Sequence, residues 1–153
     1  MKNFAILFLI LPMLACTNSG KKNQPTSVVN TFGKGTYGYD LAVLKKYTKS
    51  FELKNGDARI VVTPEYQGRV MTSTSDGENG LSYGWINHDL IESGEIKKGI
   101  NAVGGEERFW LGPEGGQFSI FFNAGSSVGF EDWQTPPSID SETYDLVSSS
   151  EIH

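Results

Sequence analysis

One cysteine and two histidines are all that 153 residues offer to thiol, disulfide or imidazole chemistry. A single cysteine, Cys16, permits no disulfide within the chain, so the fold must be held by its core. The histidines, His88 and His153, fall in no metal-ligand spacing, and a zinc site needs three or four ligands. No metal is therefore expected, and His88-Asp89 reads as a surface turn. No cofactor is expected either. Basic charge is also scarce: 13 Lys and Arg stand against 18 Asp and Glu, for a net charge of −5. The only basic pairs are Lys21-Lys22, Lys45-Lys46 and Lys97-Lys98, which read as solvated surface. A nucleic-acid partner needs clustered cations and is not expected. Serine, histidine and acid fall in no recognisable triad motif, and no internal repeat is visible.

Long apolar runs are missing too, apart from residues 4–11 (FAILFLIL), which follow the positive Lys2. A spanning helix needs about 20 apolar residues, so this run is too short to cross a bilayer. A charged start, a short apolar core and a small residue before a cut make an export signal. Met13-Leu14-Ala15-Cys16 follows the run after Pro12. Leu14-Ala15-Cys16 resembles a lipobox, whose cysteine is lipidated and becomes the first residue of the mature protein; Met13 stands where Leu is usual. Residues 1–15 are thus expected to be a lipoprotein signal peptide, with Cys16 the lipidation site and the membrane a partner through that lipid. Buried acyl methylenes contribute about 0.8 kcal/mol each, so several chains on one residue anchor stably. The expected location is the cell envelope, on the outer membrane facing the periplasm. Residues 16–31 are polar and read as a flexible tether.

What remains, residues 32–153, is rich in turn signals, with 18 glycines and 6 prolines in the whole chain. Residues 41–47 (LAVLKKY) have helical apolar spacing, and residues 87–93 allow a helical turn. Strands are expected at 50–54, 58–63, 68–74, 81–86, 107–111 and 117–122. Asn55-Gly56 marks a hairpin between the first two. Ala58, Ile60 and Val62 share one face of theirs. The pattern predicts an all-β fold, an antiparallel β-sandwich with one or two short helices. Residues 144–150 read as the start of a strand just before the terminus, so the domain is expected to be truncated there. Gly33-Lys34-Gly35-Thr36-Tyr37-Gly38 matches G-x-G-x-x-G, but no preceding buried strand or βαβ unit accompanies it, and it reads as a flexible turn. Asp132-Trp133 and Pro136-Pro137 read as a loop packing an aromatic.

Four segments, residues 33–44 (GKGTYGYDLAVL), 64–74 (PEYQGRVMTST), 84–89 (GWINHD) and 104–117 (GGEERFWLGPEGGQ), resemble an uncharacterised family of bacterial lipoproteins with a galactose-mutarotase-like fold. The resemblance implies a large antiparallel supersandwich, longer than this chain, whose concave face binds or isomerises sugars. It supplies no catalytic pair, since neither histidine lies in the mutarotase motif.

On a strand at 107–111, alternation would place Glu106, Arg108 and Trp110 on one face, with Glu107, Phe109 and Leu111 opposite, the last two toward the core. A flat aromatic beside charged hydrogen-bonding groups suits a sugar. Glu114 and Gln117 flank the next turn and join the candidate set, as does Arg69. Equally compatible is a Trp110 in the core with Glu106 and Arg108 as a structural ion pair. The expected function is therefore a membrane-anchored, periplasm-facing carbohydrate-binding lipoprotein. The alternatives are a structural or interaction lipoprotein without a small-molecule site, and a sugar epimerase whose base lies beyond His153.

Overall fold

The structure, a computed structural model, describes residues 31–149. The signal peptide, Cys16 and nearly all of the tether lie outside the described residues.

The first helix, α1 (Tyr37–Tyr47), begins four residues before the apolar periodicity does. Thr36 starts it: its Oγ1 accepts from the Tyr39 amide at 3.3 Å and donates back to the Gly33 carbonyl at 2.8 Å. Asp40 in the first turn and Lys45 and Lys46 in the last complement the helix dipole. Residues 33–36 are a turn as expected, yet the last glycine of the motif is a packing position. A Cβ on Gly38 would meet the Phe32 ring at 2.6 Å and the Glu78 carbonyl at 2.8 Å.

Three strands follow, β1 (Phe51–Asn55), β2 (Ala58–Thr63) and β3 (Arg69–Thr74), antiparallel in the order β1-β2-β3. Asn55 pairs with Ala58, so Gly56 and Asp57 form a two-residue turn, with Gly56 at φ 61°. Pro64–Tyr66 then makes one 3-10 turn, and Gln67 (φ 59°) and Gly68 (φ 69°) reverse the chain into β3. Val61 pairs with Thr72 and Val62 with Val70, which leaves Met71 as a bulge residue, fully buried.

Tyr37, Leu41 and Leu44 from α1 pack with Val61 and Met71, and Leu90 and Ile91 from α2 (His88–Ser93) complete the cluster with Ile86 and Val103. Both helices therefore serve the same core. Ala58, Ile60 and Val62 do share a face, but it is the opposite one: Phe51, Leu53 and Ile60 are 37%, 57% and 37% exposed.

The described residues form a small mixed domain, one three-stranded antiparallel sheet with two helices, and the all-β expectation is corrected accordingly. The segments expected as strands at 81–86 and 107–111 make only isolated bridges, Thr36 to Leu81, Ile86 to Gly104 and Val70 to Glu107, and 117–122 makes none. The cause is close backbone crossing. A Cβ on Gly84 would lie 2.1 Å from the Met71 carbonyl, and one on Gly104 2.1 Å from the Trp85 carbonyl. Gly104 and Gly105 also take φ of 93° and 108°, which breaks strand alternation just before Glu106. Phe109 and Leu111 consequently stand 57% and 40% exposed rather than in the core. Residues 144–149 carry no regular structure, although the Tyr144 amide donates to the Pro64 carbonyl at 2.9 Å.

Under the helical layer, the almost fully covered Glu52 carboxylate gathers Lys54 at 3.2 Å, Lys45 and Arg59 at 3.4 Å each, and the Tyr37 hydroxyl at 3.3 Å. Burial pushes its carboxyl up, but Lys54 and Lys45 outweigh burial and hold it below the usual carboxylate range. A carboxyl depressed in the folded state gives stability that is present above its unfolded pKa, about 4.3, and lost as pH falls through the folded value. Glu52→Gln is expected to cost on the order of 1 kcal/mol at pH 7. Urea midpoints from pH 7 to pH 3 should show the two proteins converging in acid; a constant gap would contradict this assignment.

Candidate functional site

The edge of β3 carries the first of the candidate residues. The Val70 amide donates to the Glu107 carbonyl at 3.0 Å, and the Glu106 amide donates to the Val70 carbonyl at 2.8 Å. This seats residues 106–107 against the edge for the length of one bridge. The Glu106 carboxylate turns back onto β3, where it accepts from the Ser73 amide at 2.5 Å and the Ser73 hydroxyl at 2.8 Å. It makes no ion pair with Arg108.

Beyond that bridge the chain leaves the sheet, and an aromatic stack takes over its positioning. The Arg108 guanidinium lies 3.6 Å from the centre of the Trp110 ring. Trp110 stacks on Phe121 with centroids 5.0 Å apart, and Phe121 stacks on Trp133 at 4.7 Å. Phe121 is fully buried. The Trp110 indole donates to Glu114 Oε1 at 2.7 Å, and the Trp133 indole to Thr135 Oγ1 at 2.8 Å. Trp133 therefore packs as an aromatic anchor of its loop, as the sequence suggests.

Arg69 lies buried beside this stack, donating from Nη1 to the Gly104 carbonyl at 2.6 Å while its Nε has no partner. Burial, then the neighbouring Arg108 charge, pushes the Arg69 guanidinium down to about 10, with Asp140 and Tyr66 opposing. Burial also lowers Arg108, against the attraction of Asp140 and Glu114. The structure thus brings Arg69, Arg108, Trp110 and Glu114 into one neighbourhood. Glu106 is committed to Ser73, and the exposed Gln117 lines a separate hollow with Phe122 and Asn123.

A cleft of about 460 Å³ opens between residues 96–101, 120–123 and 134–141. Phe122 gives it an apolar wall, with the fully buried Phe121 behind, and Lys98, Asn101, Gln134 and Asp140 give it polar ones. Two backbone bonds strap its sides, from the Gln134 amide to the Phe121 carbonyl and from the Thr135 amide to the Gly99 carbonyl, each 2.8 Å. Asp140 Oδ2 accepts from the Asn101 amide at 2.9 Å and from Asn101 Nδ2 at 2.8 Å, whereas Oδ1 is buried without a partner. None of these residues was a candidate from sequence. Asn101 and Asp140 stand in irregular loops 39 positions apart, and no spacing rule joins such a pair.

His88 does not sit in a surface turn. It opens α2, and its Nε2 lies 2.8 Å from Asp40 Oδ1. Among the described residues no group of three or more His, Cys, Asp or Glu is placed to hold a metal ion. Nor is any helix among them long and apolar enough to cross a membrane.

Residues 35–153 match a family of unknown function, DUF6786. The chain belongs to this family. No curated protein and no solved structure matches it. The DUF6786 region takes in the sheet, the aromatic stack and the cleft, and leaves Cys16 outside. Chemically, this DUF6786 site joins an apolar aromatic wall to amide, carboxylate and ammonium groups, and it holds no paired nucleophile and base.

Proposed function

We propose that this DUF6786 member is an exported lipoprotein, anchored through Cys16 and facing the periplasm from the outer membrane, that binds carbohydrate in the cleft beside the aromatic stack. The observation that carries the proposal is the pairing of the half-buried Phe122 with Asn101, Gln134 and Asp140 across about 460 Å³. That volume suits a mono- or disaccharide, whose C–H face packs on an aromatic and whose hydroxyls need amides and carboxylates. The Trp110–Phe121–Trp133 stack supports the wall from behind. In the mutarotase-like supersandwich that the sequence resembles, the three-stranded sheet is one part of a larger structure, with a second sheet on the face carrying Phe51, Leu53 and Ile60. The same exposed apolar face favours a second reading, an interaction lipoprotein whose partner docks on the sheet.

Two experiments test the proposal. Calorimetry with a panel of neutral and acidic oligosaccharides is expected to find a ligand whose affinity falls roughly tenfold in Gln134→Ala, a loss of one or two hydrogen bonds. Gln134 is exposed and makes no side-chain bond, so the fold should be unaffected. A wild type that binds no member of the panel would favour the interaction reading. For the anchor, fatty-acid labelling is expected in the wild type and absent in Cys16→Ser; equal labelling of both would exclude lipidation at that residue.

A further inference from the structure

Strand β1 lies at the edge of the sheet. It pairs with β2 alone, and among the described residues no other segment makes a backbone hydrogen bond to it. The two-residue turn fixes which of its groups are open. Such a turn is closed by a bonded pair, here Asn55 with Ala58, and non-bonded and bonded pairs then alternate along the ladder. Phe51, Leu53 and Asn55 therefore direct their backbone groups to β2, and the N–H and C=O groups of Glu52 and Lys54 point outward. Leu146, Ser148 and Ser149 border the outer face near Phe51 and Leu53 without a backbone bond to either open residue.

An open edge is a template for a further strand, and the charges of β1 fit it to a second copy of itself. A two-fold axis at Leu53 sets Glu52 against the partner's Lys54 and Lys54 against the partner's Glu52. Both are bonded pairs between open residues, with opposite charges across each. The other symmetric registers that match open residues within the strand centre on Glu52 or on Lys54. They set carboxylate against carboxylate or ammonium against ammonium, which is destabilising. Glu52-Leu53-Lys54 is thus self-complementary in one register only. In that register the exposed Leu53 meets the partner's Leu53 as a non-bonded pair, the kind in which side chains approach most closely. Lys54, half-exposed and 3.2 Å from its own Glu52, then lies between two carboxylates.

We infer that β1 is a homodimer interface, through which two copies of the chain join their three-stranded sheets edge to edge about a two-fold axis at Leu53. The inference is independent of the carbohydrate reading of the cleft, whose residues lie in other segments.

The test joins oligomeric state to register. Sedimentation of the full chain in detergent is expected to show a concentration-dependent dimer. Lys54→Glu sets each Glu52 against a carboxylate and should raise the dissociation constant roughly tenfold or more. For the register, Leu53→Cys in a Cys16→Ser background leaves one thiol per chain. The two Cα atoms would stand about 4.5 Å apart across the axis, within the span of a disulfide, so mild oxidation should crosslink the pair. Asn55→Cys, set opposite the partner's Phe51, should crosslink roughly tenfold more slowly or not at all, because its thiols lie too far apart for a disulfide. The crosslink leaves both charges in place, so it decides the matter even where Lys54→Glu fails to fold. A wild type that stays monomeric would overturn the inference, as would a dimer that folded Lys54→Glu leaves unchanged. Equal crosslinking at positions 53 and 55 would also overturn it, by removing the register on which the self-pairing rests.

Discussion

Phe121→Ala is expected to lower the unfolding free energy by about 3–5 kcal/mol, the cost of deleting a fully buried aromatic whose neighbours cannot close the gap. Phe121 lies between two indoles, stacked on Trp110 at 5.0 Å and on Trp133 at 4.7 Å, so its removal breaks both contacts at once. Aromatic pairs contribute about 0.5–1.5 kcal/mol beyond the area they bury, which places this site at the upper end of the range. The functional consequence is separate from the structural one. Phe121 joins the indole that Arg108 rests on to the wall of the cleft, so residual folded protein should also bind carbohydrate more weakly. Urea denaturation with tryptophan fluorescence would measure the first effect; a loss under 1 kcal/mol would show that the stack is dispensable.

Asp40→Ala is expected to cost about 3 kcal/mol, from two hydrogen bonds to a buried carboxylate at about 1.5–3 kcal/mol each, reduced because His88 keeps some contact with water. Asp40 is 4% exposed. One of its oxygens accepts from the Ser82 hydroxyl and the other meets His88 Nε2, while Ser82 is also 2.6 Å from the Thr72 hydroxyl. The network therefore joins α1, α2 and β3 through one side chain, and the α1–α2 packing depends on it. Asp40→Asn keeps the shape and one acceptor and should lose roughly half as much. A double-mutant cycle with His88→Ala should return a coupling energy on the order of 1 kcal/mol. Additive losses would show that the two residues act independently.

The hairpin was legible because its signals are local. Asn55-Gly56 fixes a turn, alternation fixes the strands on either side, and the expected span of β2, residues 58–63, is the observed one. Helix α1 was legible in its apolar half, while its first turn was hidden by Gly38, a breaker in sequence that the fold uses to admit Phe32. The inner face of the sheet was hidden for a different reason. It buries Arg69, Thr63, Thr72 and Thr74 beside Val61 and Met71, so polarity does not mark the solvent side there. The expected strands at 81–86 and 107–111 failed where glycine lets one backbone cross another, a tertiary event without local signature. Of the candidate site, Arg108, Trp110 and Glu114 could be proposed from side-chain chemistry within one segment. The stack that organises them recruits Phe121 and Trp133 from later loops, and the cleft is closed by an Asn101–Asp140 contact that only folding creates.

The account stands most directly on the seating of a carbohydrate against the aromatic wall. In a ¹H–¹⁵N spectrum of the full chain each tryptophan gives its own indole signal, and Trp110 and Trp133 report from the two ends of the stack through indole groups bonded to Glu114 and Thr135. Titration with an oligosaccharide that calorimetry shows to bind is predicted to shift both signals together along one saturable curve. Two indole signals that stay fixed at concentrations where calorimetry records binding would contradict the account, because the sugar would then sit away from the stack and the cleft it supports.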